Sequence, residues 1–98
     1  MLDRLGLLSK AIMKIEVMYF GRPSEFLLIT SERMDIPKAI PTLQHVLDRL
    51  RGRGGRWAYE LDDSHVMCTV NQAPAVLSAC IDKGDEIGIF SRKSIFQM

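Results

Sequence analysis

Few side chains in this sequence have the type and spacing that catalysis or metal binding requires. The two histidines stand far apart, His45 on a predicted helix and His65 after a predicted turn, and isolated histidines do not make a zinc site. Cys68 lies inside a predicted strand, which favours a small buried hydrophobic residue, and Cys80 has no metal-ligand partner at a usual spacing. No nucleophile has a base and an acid placed to activate it. We therefore expect no catalytic residue, no metal site and no cofactor.

A cluster of basic residues is the second candidate for chemistry. Arg49, Arg51, Arg53 and Arg56 surround a glycine-rich segment that lacks the spacing of a phosphate-binding loop. These side chains could contact RNA or an acidic protein face, but cations at a helix C-terminus also suit the helix dipole. The chain has 13 basic and 12 acidic residues, a net charge of +1, which gives no general attraction to nucleic acid or anionic membranes. A solvated helix end is favoured, and RNA binding remains an alternative.

The chain of 98 residues, 47% of them hydrophobic, is expected to form one small domain. No apolar run approaches the roughly 20 residues that span a bilayer. Two cysteines without a ligand pattern fit a reduced, cytosolic compartment. Leu2, Leu5, Leu8 and Ile12 fall at helical spacing, so residues 1–12 are interpreted as an N-terminal extension. An alternative is that Met13 is the natural start.

One amphipathic helix stands out among the elements. Thr42 offers an N-cap, and the stripe Leu43, Val46, Leu47 and Leu50 has the spacing of a buried helix face. The helix is expected to end near Arg51, where a following glycine can take the left-handed conformation.

Strands are predicted on both sides of this helix. Residues 14–20 are apolar on both faces, which is typical of a strand inside a sheet, and residues 26–30 form a second apolar run that can pair with it as an antiparallel hairpin. Residues 31–39 have no clear period and are interpreted as a connector. Residues 57–61 fit either a helical turn or a strand, whereas residues 66–71 and 86–90 read as strands.

The order hairpin, helix, further strands predicts an α+β fold, with the helix across one face of a mixed four- or five-stranded sheet. This is the order of a ubiquitin-like β-grasp. The core is expected to contain the helix stripe together with Ile15, Val17, Leu28, Val70 and Ile89.

Several segments, in this order, resemble the small sulfur-carrier subunit of molybdopterin synthase and, more distantly, the sulfur carrier of thiamine biosynthesis. The match covers residues 14 to about 94. The matching segments are the first strand from Lys14 to Phe20, Pro41-Thr42 with its leucine stripe, Arg56-Trp57-Ala58, Thr69-Val70-Asn71-Gln72, and Asp82-Lys83-Gly84-Asp85-Glu86-Ile87-Gly88-Ile89-Phe90.

The resemblance implies a mechanism that depends on a Gly-Gly tail. In the family a ubiquitin-activating-like enzyme adenylates the terminal carboxylate, which becomes a thiocarboxylate, and the large synthase subunit uses that sulfur to build molybdopterin. Glycines suit this role because a tail without Cβ atoms can thread a narrow channel. Here Ser94 matches the small residue before the pair, whereas Ile95 and Phe96 stand where the two glycines would be. The chain is therefore expected not to transfer sulfur.

The resemblance predicts a module that docks on the synthase large subunit or on the adenylating enzyme. The alternatives are an active sulfur carrier with an unusual tail and an RNA-binding β-grasp. Residues 13–90 would form the β-grasp domain and residues 91–98 the tail. In the family an apolar sheet face docks on partners and the tail inserts into them. By position, the partner-binding residues would be Phe90, Ser91, Arg92, Ser94, Ile95, Phe96 and Met98.

Overall fold

A computed structural model describes residues 12–39 and 41–92, and within these ranges it contains five strands and three helices. The strands and helices are, in chain order, β1 (Ile12–Tyr19), α1 (Arg22–Leu27), β2 (Ser31–Pro37), α2 (Leu43–Arg51), α3 (Arg56–Glu60), β3 (Val66–Val70), β4 (Ala73–Ala75) and β5 (Glu86–Ser91). The predicted segment at residues 57–61 is thus helical. None of the helices in the described ranges is long and apolar enough to cross a membrane.

The strands form one mixed sheet in the order β2-β1-β5-β3-β4. The central pair, β1 and β5, is parallel, with Val17 opposite Ile87, and all the other pairs are antiparallel. Strand β1 lies inside the sheet, as predicted, but only alternate residues along it are buried. The α+β fold, the mixed sheet and the β-grasp order are confirmed.

The core lies between one face of the sheet and the helices. The leucine stripe of α2 is fully buried, as predicted, and so are the inward side chains of β1 and β5. Val70 packs against this core but is only half-buried. The side chains with no exposed surface include Val17, Ile36, Leu43, Val46, Leu47, Leu50, Leu61, Ile87 and Ile89.

The predicted second strand at residues 26–30 is wrong, because most of that run belongs to a helix and its end. Pro23 occupies the first turn of α1, where its fixed φ favours a helical start. Leu28 ends the helix in the left-handed conformation, with φ of 61°, and its N–H bonds to the carbonyl of Ser24. Leu28 is 78% exposed, so its expected place in the core is wrong too.

The second strand lies instead in the segment that was interpreted as a connector. β2 runs antiparallel to β1, with Ile15 opposite Met34. Its residues alternate between exposed and more buried positions, and Ile36 is fully buried. β2 forms an edge of the sheet, where polar and charged residues are common.

Both ends of helix α2 are confirmed, since it follows the cap Thr42 and ends at Arg51. Thr42 caps the helix, since its hydroxyl oxygen accepts the N–H of His45 at 3.2 Å. Gly52 remains in the right-handed conformation with φ of −63°, and the left-handed residues are Gly54 and Gly55, with φ of 79° and 53°. The left-handed conformation predicted after the helix is therefore adopted by Gly54 and Gly55 and not by Gly52.

Asn71, Gly84 and Asp85, which are among the residues of the family resemblance, stabilise the loop that begins β5. The Asn71 side chain donates to a carboxylate oxygen of Asp85 at 3.0 Å, and its oxygen accepts the N–H of Glu86 at 3.0 Å. Gly84 takes φ of 82° and donates its N–H to the carbonyl of Lys14. Asn71 thus ties the end of β3 to the loop that begins β5.

Candidate partner-binding surface

The face of the sheet opposite the core carries an apolar patch across its three central strands. Since side chains alternate along a strand, Met18 of β1 and Phe20, which directly follows β1, lie on the same face as Gly88 and Phe90 of β5. Thr69 of β3 faces them, because it is paired with Gly88. We call this surface, with Gln72 and Glu86 beside it, the open face.

Two aromatic rings form the centre of the open face. Phe20 and Phe90 stack with their centroids 4.6 Å apart and their planes 9° from parallel. Phe20 is 40% exposed and Phe90 is half-buried. The rings and their neighbours line a groove of ≈ 430 Å³. Aromatic side chains that remain partly exposed together are typical of contact surfaces.

Gly88 allows the rings to lie close to the strand. A Cβ atom at this position would stand 3.1 Å from the ring of Phe90 and 3.4 Å from the ring of Phe20, and would overlap with the hydroxyl oxygen of Thr69. The φ of Gly88 is one that any residue adopts in a strand, so the space, and not the backbone conformation, requires glycine here. The floor of the groove is therefore bare backbone.

The expected partner-binding residues do not share one surface. Phe90 lies on the open face. Ser91 points to the other side of β5, in phase with Ile87 and Ile89, and is 3% exposed. Arg92 is exposed, and its N–H donates to the carbonyl of His65 at 2.8 Å. The remaining four, Ser94, Ile95, Phe96 and Met98, lie outside the described residues.

Two of the four clustered arginines are held by carboxylates. Arg51 contacts Asp48 and Asp63, and also donates to the carbonyl of Leu61 at 2.9 Å. Arg53 makes a two-pronged contact with Glu32, 2.9 Å for each nitrogen–oxygen pair. The interpretation as a purely solvated helix end is therefore wrong for these two residues.

The contact of Arg53 with Glu32 is part of a larger cluster. The Tyr19 hydroxyl donates to Glu32 at 2.6 Å, and the Arg53 guanidinium lies 4.4 Å from the centre of the Trp57 ring. Burial alone raises the pKa of Glu32, but hydrogen bonds from Arg53 and Tyr19 outweigh it and hold this pKa below its usual range. Burial, followed by the contact with Glu32, raises the pKa of Tyr19. This cluster joins β1, β2 and the α2–α3 connection.

The cysteines and histidines form no reactive site in the described part of the chain. Cys68 is buried, as predicted, and burial raises the pKa of its thiol to about 12. Cys80 is exposed and unpaired. His65 is half-buried, with Nδ1 3.0 Å from the carbonyl oxygen of Tyr59. His45 is half-buried. No group of three or more potential metal ligands occurs within residues 12–39 and 41–92.

The sequence reasoning anticipated an apolar sheet face but named only Phe90 on it. Phe20, Met18 and Gly88 were missed as site residues. The alternation of side chains along each strand could have identified Phe20. Phe20 and Phe90 follow the buried residues Tyr19 and Ile89, so both side chains must point away from the core.

Comparisons with known proteins agree with the observed fold. No family model matches the chain. The chain is 25% identical over 76 residues to the molybdopterin synthase sulfur carrier subunit of Escherichia coli (strain K12), which covers 78% of this chain and 91% of that protein. The solution structure of the Haloferax volcanii HVO 2177 protein superimposes with a TM-score of 0.71 at 22% identity, over 83% of this chain and 84% of the other.

The crystal structure of small archaeal modifier protein 1 of H. volcanii gives a TM-score of 0.68 at 24% identity, over 80% of this chain and 95% of the other. These two structures establish the fold. The chain has the ubiquitin-like β-grasp fold and is similar in sequence to the sulfur carrier subunits of molybdopterin synthase.

Proposed function

We propose that this chain is a binding module of molybdopterin biosynthesis that docks through its open face on a protein of the synthase large-subunit type. The observation that carries the proposal is the stacked pair Phe20–Phe90 over the bare backbone of Gly88. The sequence relationship to a synthase subunit supports the choice of partner. Family resemblance also makes a ubiquitin-activating-like adenylating enzyme a second partner for the same face.

The chemistry of the open face suits an apolar contact of this kind. Full burial of a side chain such as phenylalanine contributes roughly 1.5–3 kcal/mol, and the rings of Phe20 and Phe90 still have part of that area to bury. The stack fixes both rings before binding, so little side-chain entropy is lost on association. The carboxylate of Glu86 at the edge of the groove would orient the partner.

We further propose that the module docks without transferring sulfur. The side chains of Ile95 and Phe96 stand where the family's tail has glycines. Branched and aromatic groups would clash in a channel shaped for an extended glycine pair. This obstruction comes from the side chains at the two positions and does not depend on which residue is the last.

Docking is tested by calorimetric titration of the module into a molybdopterin synthase large subunit. Phe90→Ser should weaken binding by about tenfold or more, since a central aromatic anchor is removed. Val76→Ser is the matched control, because Val76 is apolar and 69% exposed but does not line the groove. Equal affinities for Phe90→Ser and the unaltered protein would refute the open face as the docking surface.

Sulfur transfer is tested separately, by the mass of the intact protein after incubation with the adenylating enzyme, ATP and a sulfur donor. The unaltered chain should show no replacement of oxygen by sulfur. A form with glycine at positions 95 and 96, ending there, should gain the thiocarboxylate if its body still docks. Thiocarboxylate formation on the unaltered chain would contradict the non-transferring role and leave the docking proposal standing.

A further inference from the structure

A second concave site lies on the other side of β5 from the open face. This cavity of ≈ 160 Å³ is enclosed by the start of α1, the end of α3, the turn before β3 and the end of β5. At roughly 30 Å³ for each water molecule, it has room for a small polar group such as a carboxymethyl. The residues that line it are Arg22, Tyr59, Glu60, Ser64, His65, Ser91 and Arg92.

A buried carboxylate forms the inner wall of this cavity. Glu60 is 2% exposed, and it forms an ion pair with Arg22, whose Nε lies 3.3 Å from one carboxylate oxygen. An ionised carboxylate is costly to bury unless it is paired, so Glu60 needs Arg22 for its own neutralisation. The positive charge of Arg22 is therefore already balanced within the site.

Arg92 adds a positive charge that the site does not balance. Its side chain is exposed at the cavity, and within the described part of the chain its guanidinium forms no ion pair. With Arg22 and Glu60 cancelling each other, Arg92 leaves the arginines and glutamate of the lining with a net charge of +1. One anionic group would complete the charge balance, and a guanidinium binds a carboxylate with two parallel hydrogen bonds.

Aromatic side chains form one rim of the cavity. Tyr59 is 59% exposed, and its ring lies 5.2 Å from that of His65 and 6.3 Å from that of Phe26. Arg22 and Arg56 lie over the Phe26 ring, at 5.3 and 5.8 Å from its centre. The stacking holds these cations and rings in fixed positions. We call Phe26, Tyr59 and His65 the aromatic rim.

We propose that this cavity and its aromatic rim form a second docking surface, which binds an acidic segment of a protein partner: one carboxylate enters beside Arg92, and a neighbouring aromatic side chain packs on Tyr59. A nucleic acid fits less well. The lining offers one unbalanced cation, Arg92, whereas a nucleic acid presents a phosphate at every nucleotide and needs a row of cations. This inference does not depend on the proposed function.

The test uses amide chemical shifts of the isotope-labelled full chain during titration with N-acetyl-glutamyl-phenylalanine amide. The matched probe is N-acetyl-glutaminyl-phenylalanine amide, which has the same shape without the charge. We expect shifts confined to residues 22–26, 59–65 and 91–92, with a dissociation constant on the order of millimolar, for the acidic probe alone. Added salt should weaken the binding, because the contact is charged and partly exposed.

Substitutions distinguish recognition by the Arg92 guanidinium from a general effect of positive charge on binding. Arg92→Gln should lower the affinity by about tenfold, and Arg92→Lys, which keeps the charge but loses the two-pronged geometry, should be intermediate. Arg49→Gln, at an exposed arginine outside the cavity, should change nothing. Arg92 is exposed, so these substitutions leave the fold intact.

Three outcomes would overturn the inference. The first is the absence of shifts at these residues with the acidic probe at tens of millimolar. The second is equal shifts from both dipeptides, which would show that the carboxylate is not recognised. The third is tighter binding of a short thymidine oligonucleotide at the same residues, which would assign the surface to single-stranded nucleic acid.

Discussion

The contact between Gly88 and Thr69 gives the sharpest test of how the open face is built. In Gly88→Ala the new Cβ would overlap with the Thr69 hydroxyl oxygen and press on the Phe90 ring at 3.1 Å. Overpacking of this kind typically costs about 1–3 kcal/mol, whereas alanine in a strand is about 0.5–1 kcal/mol better than glycine. We expect a net loss of about 0.5–2 kcal/mol in the free energy of unfolding.

A double-mutant cycle isolates the steric cause of this loss. Thr69→Ala removes the hydroxyl that the new methyl would meet, so Gly88→Ala should cost less in that background, with a coupling free energy of about 0.5–2 kcal/mol. The four proteins are compared by urea unfolding followed by tryptophan fluorescence, which is available from Trp57.

Additive effects of the two substitutions would refute the reasoning, because they would show that the added methyl does not meet Thr69. A gain in stability on Gly88→Ala alone would be equally damaging, since it would mean that the rings and the hydroxyl move aside without cost. The same variants report on docking: a displaced Phe90 ring in Gly88→Ala should also weaken binding of the large subunit.

Three further predictions concern stability. Leu47→Ala should lower the free energy of unfolding by about 2–5 kcal/mol in urea titrations, because Leu47 is fully buried; a change near zero would contradict its place in the core. The pKa of Glu32 is depressed in the folded state, so the stability that ionised Glu32 contributes is present above its ordinary pKa of 4.5 and is lost as the pH falls through the folded-state pKa. The free energy of unfolding of Glu32→Gln should therefore fall less steeply on acidification than that of the unaltered protein. Identical pH profiles for the two proteins would disprove this prediction. Asn71→Gly keeps the left-handed backbone but removes two side-chain hydrogen bonds, so it should destabilise the fold by about 1 kcal/mol in thermal melts. Gln72→Gly, also at a position of positive φ, is the control and should be neutral or stabilising. A change of the same sign for both variants would argue against the role of the Asn71 side chain.

The spacing of hydrophobic residues was enough to predict the helices and strands that bury one distinct apolar face. Helix α2 and strands β1, β3 and β5 each contain apolar residues at the spacing of their own buried face, so the sequence predicts whether each segment is a helix or a strand. The run at residues 26–30 misled because hydrophobicity alone does not distinguish a short strand from a helical turn, and Pro23 favours the helix.

β2 was missed for a different physical reason. Its inward positions include Glu32, a residue that a pattern of apolar alternation rejects. The carboxylate is tolerated there because Tyr19 and Arg53 hydrogen-bond to it, and Arg53 lies 21 residues away along the chain. Such a partner is known only when the fold is known, and for the same reason the arginine cluster looked solvated in the sequence.

The end of β5 brings the two proposed surfaces together on one strand. Phe90 points to the open face, and the next residue, Ser91, lines the cavity on the other side, where Arg92 supplies the unbalanced charge. Because successive residues of a strand face opposite sides, Phe90 and Ser91 contribute to different surfaces although they are neighbours in the chain. The two surfaces can therefore be separated by single substitutions: Phe90→Ser should weaken the apolar contact and leave acidic-peptide binding intact, and Arg92→Gln should do the reverse. Loss of both activities from either change would mean that the strand end acts as one site.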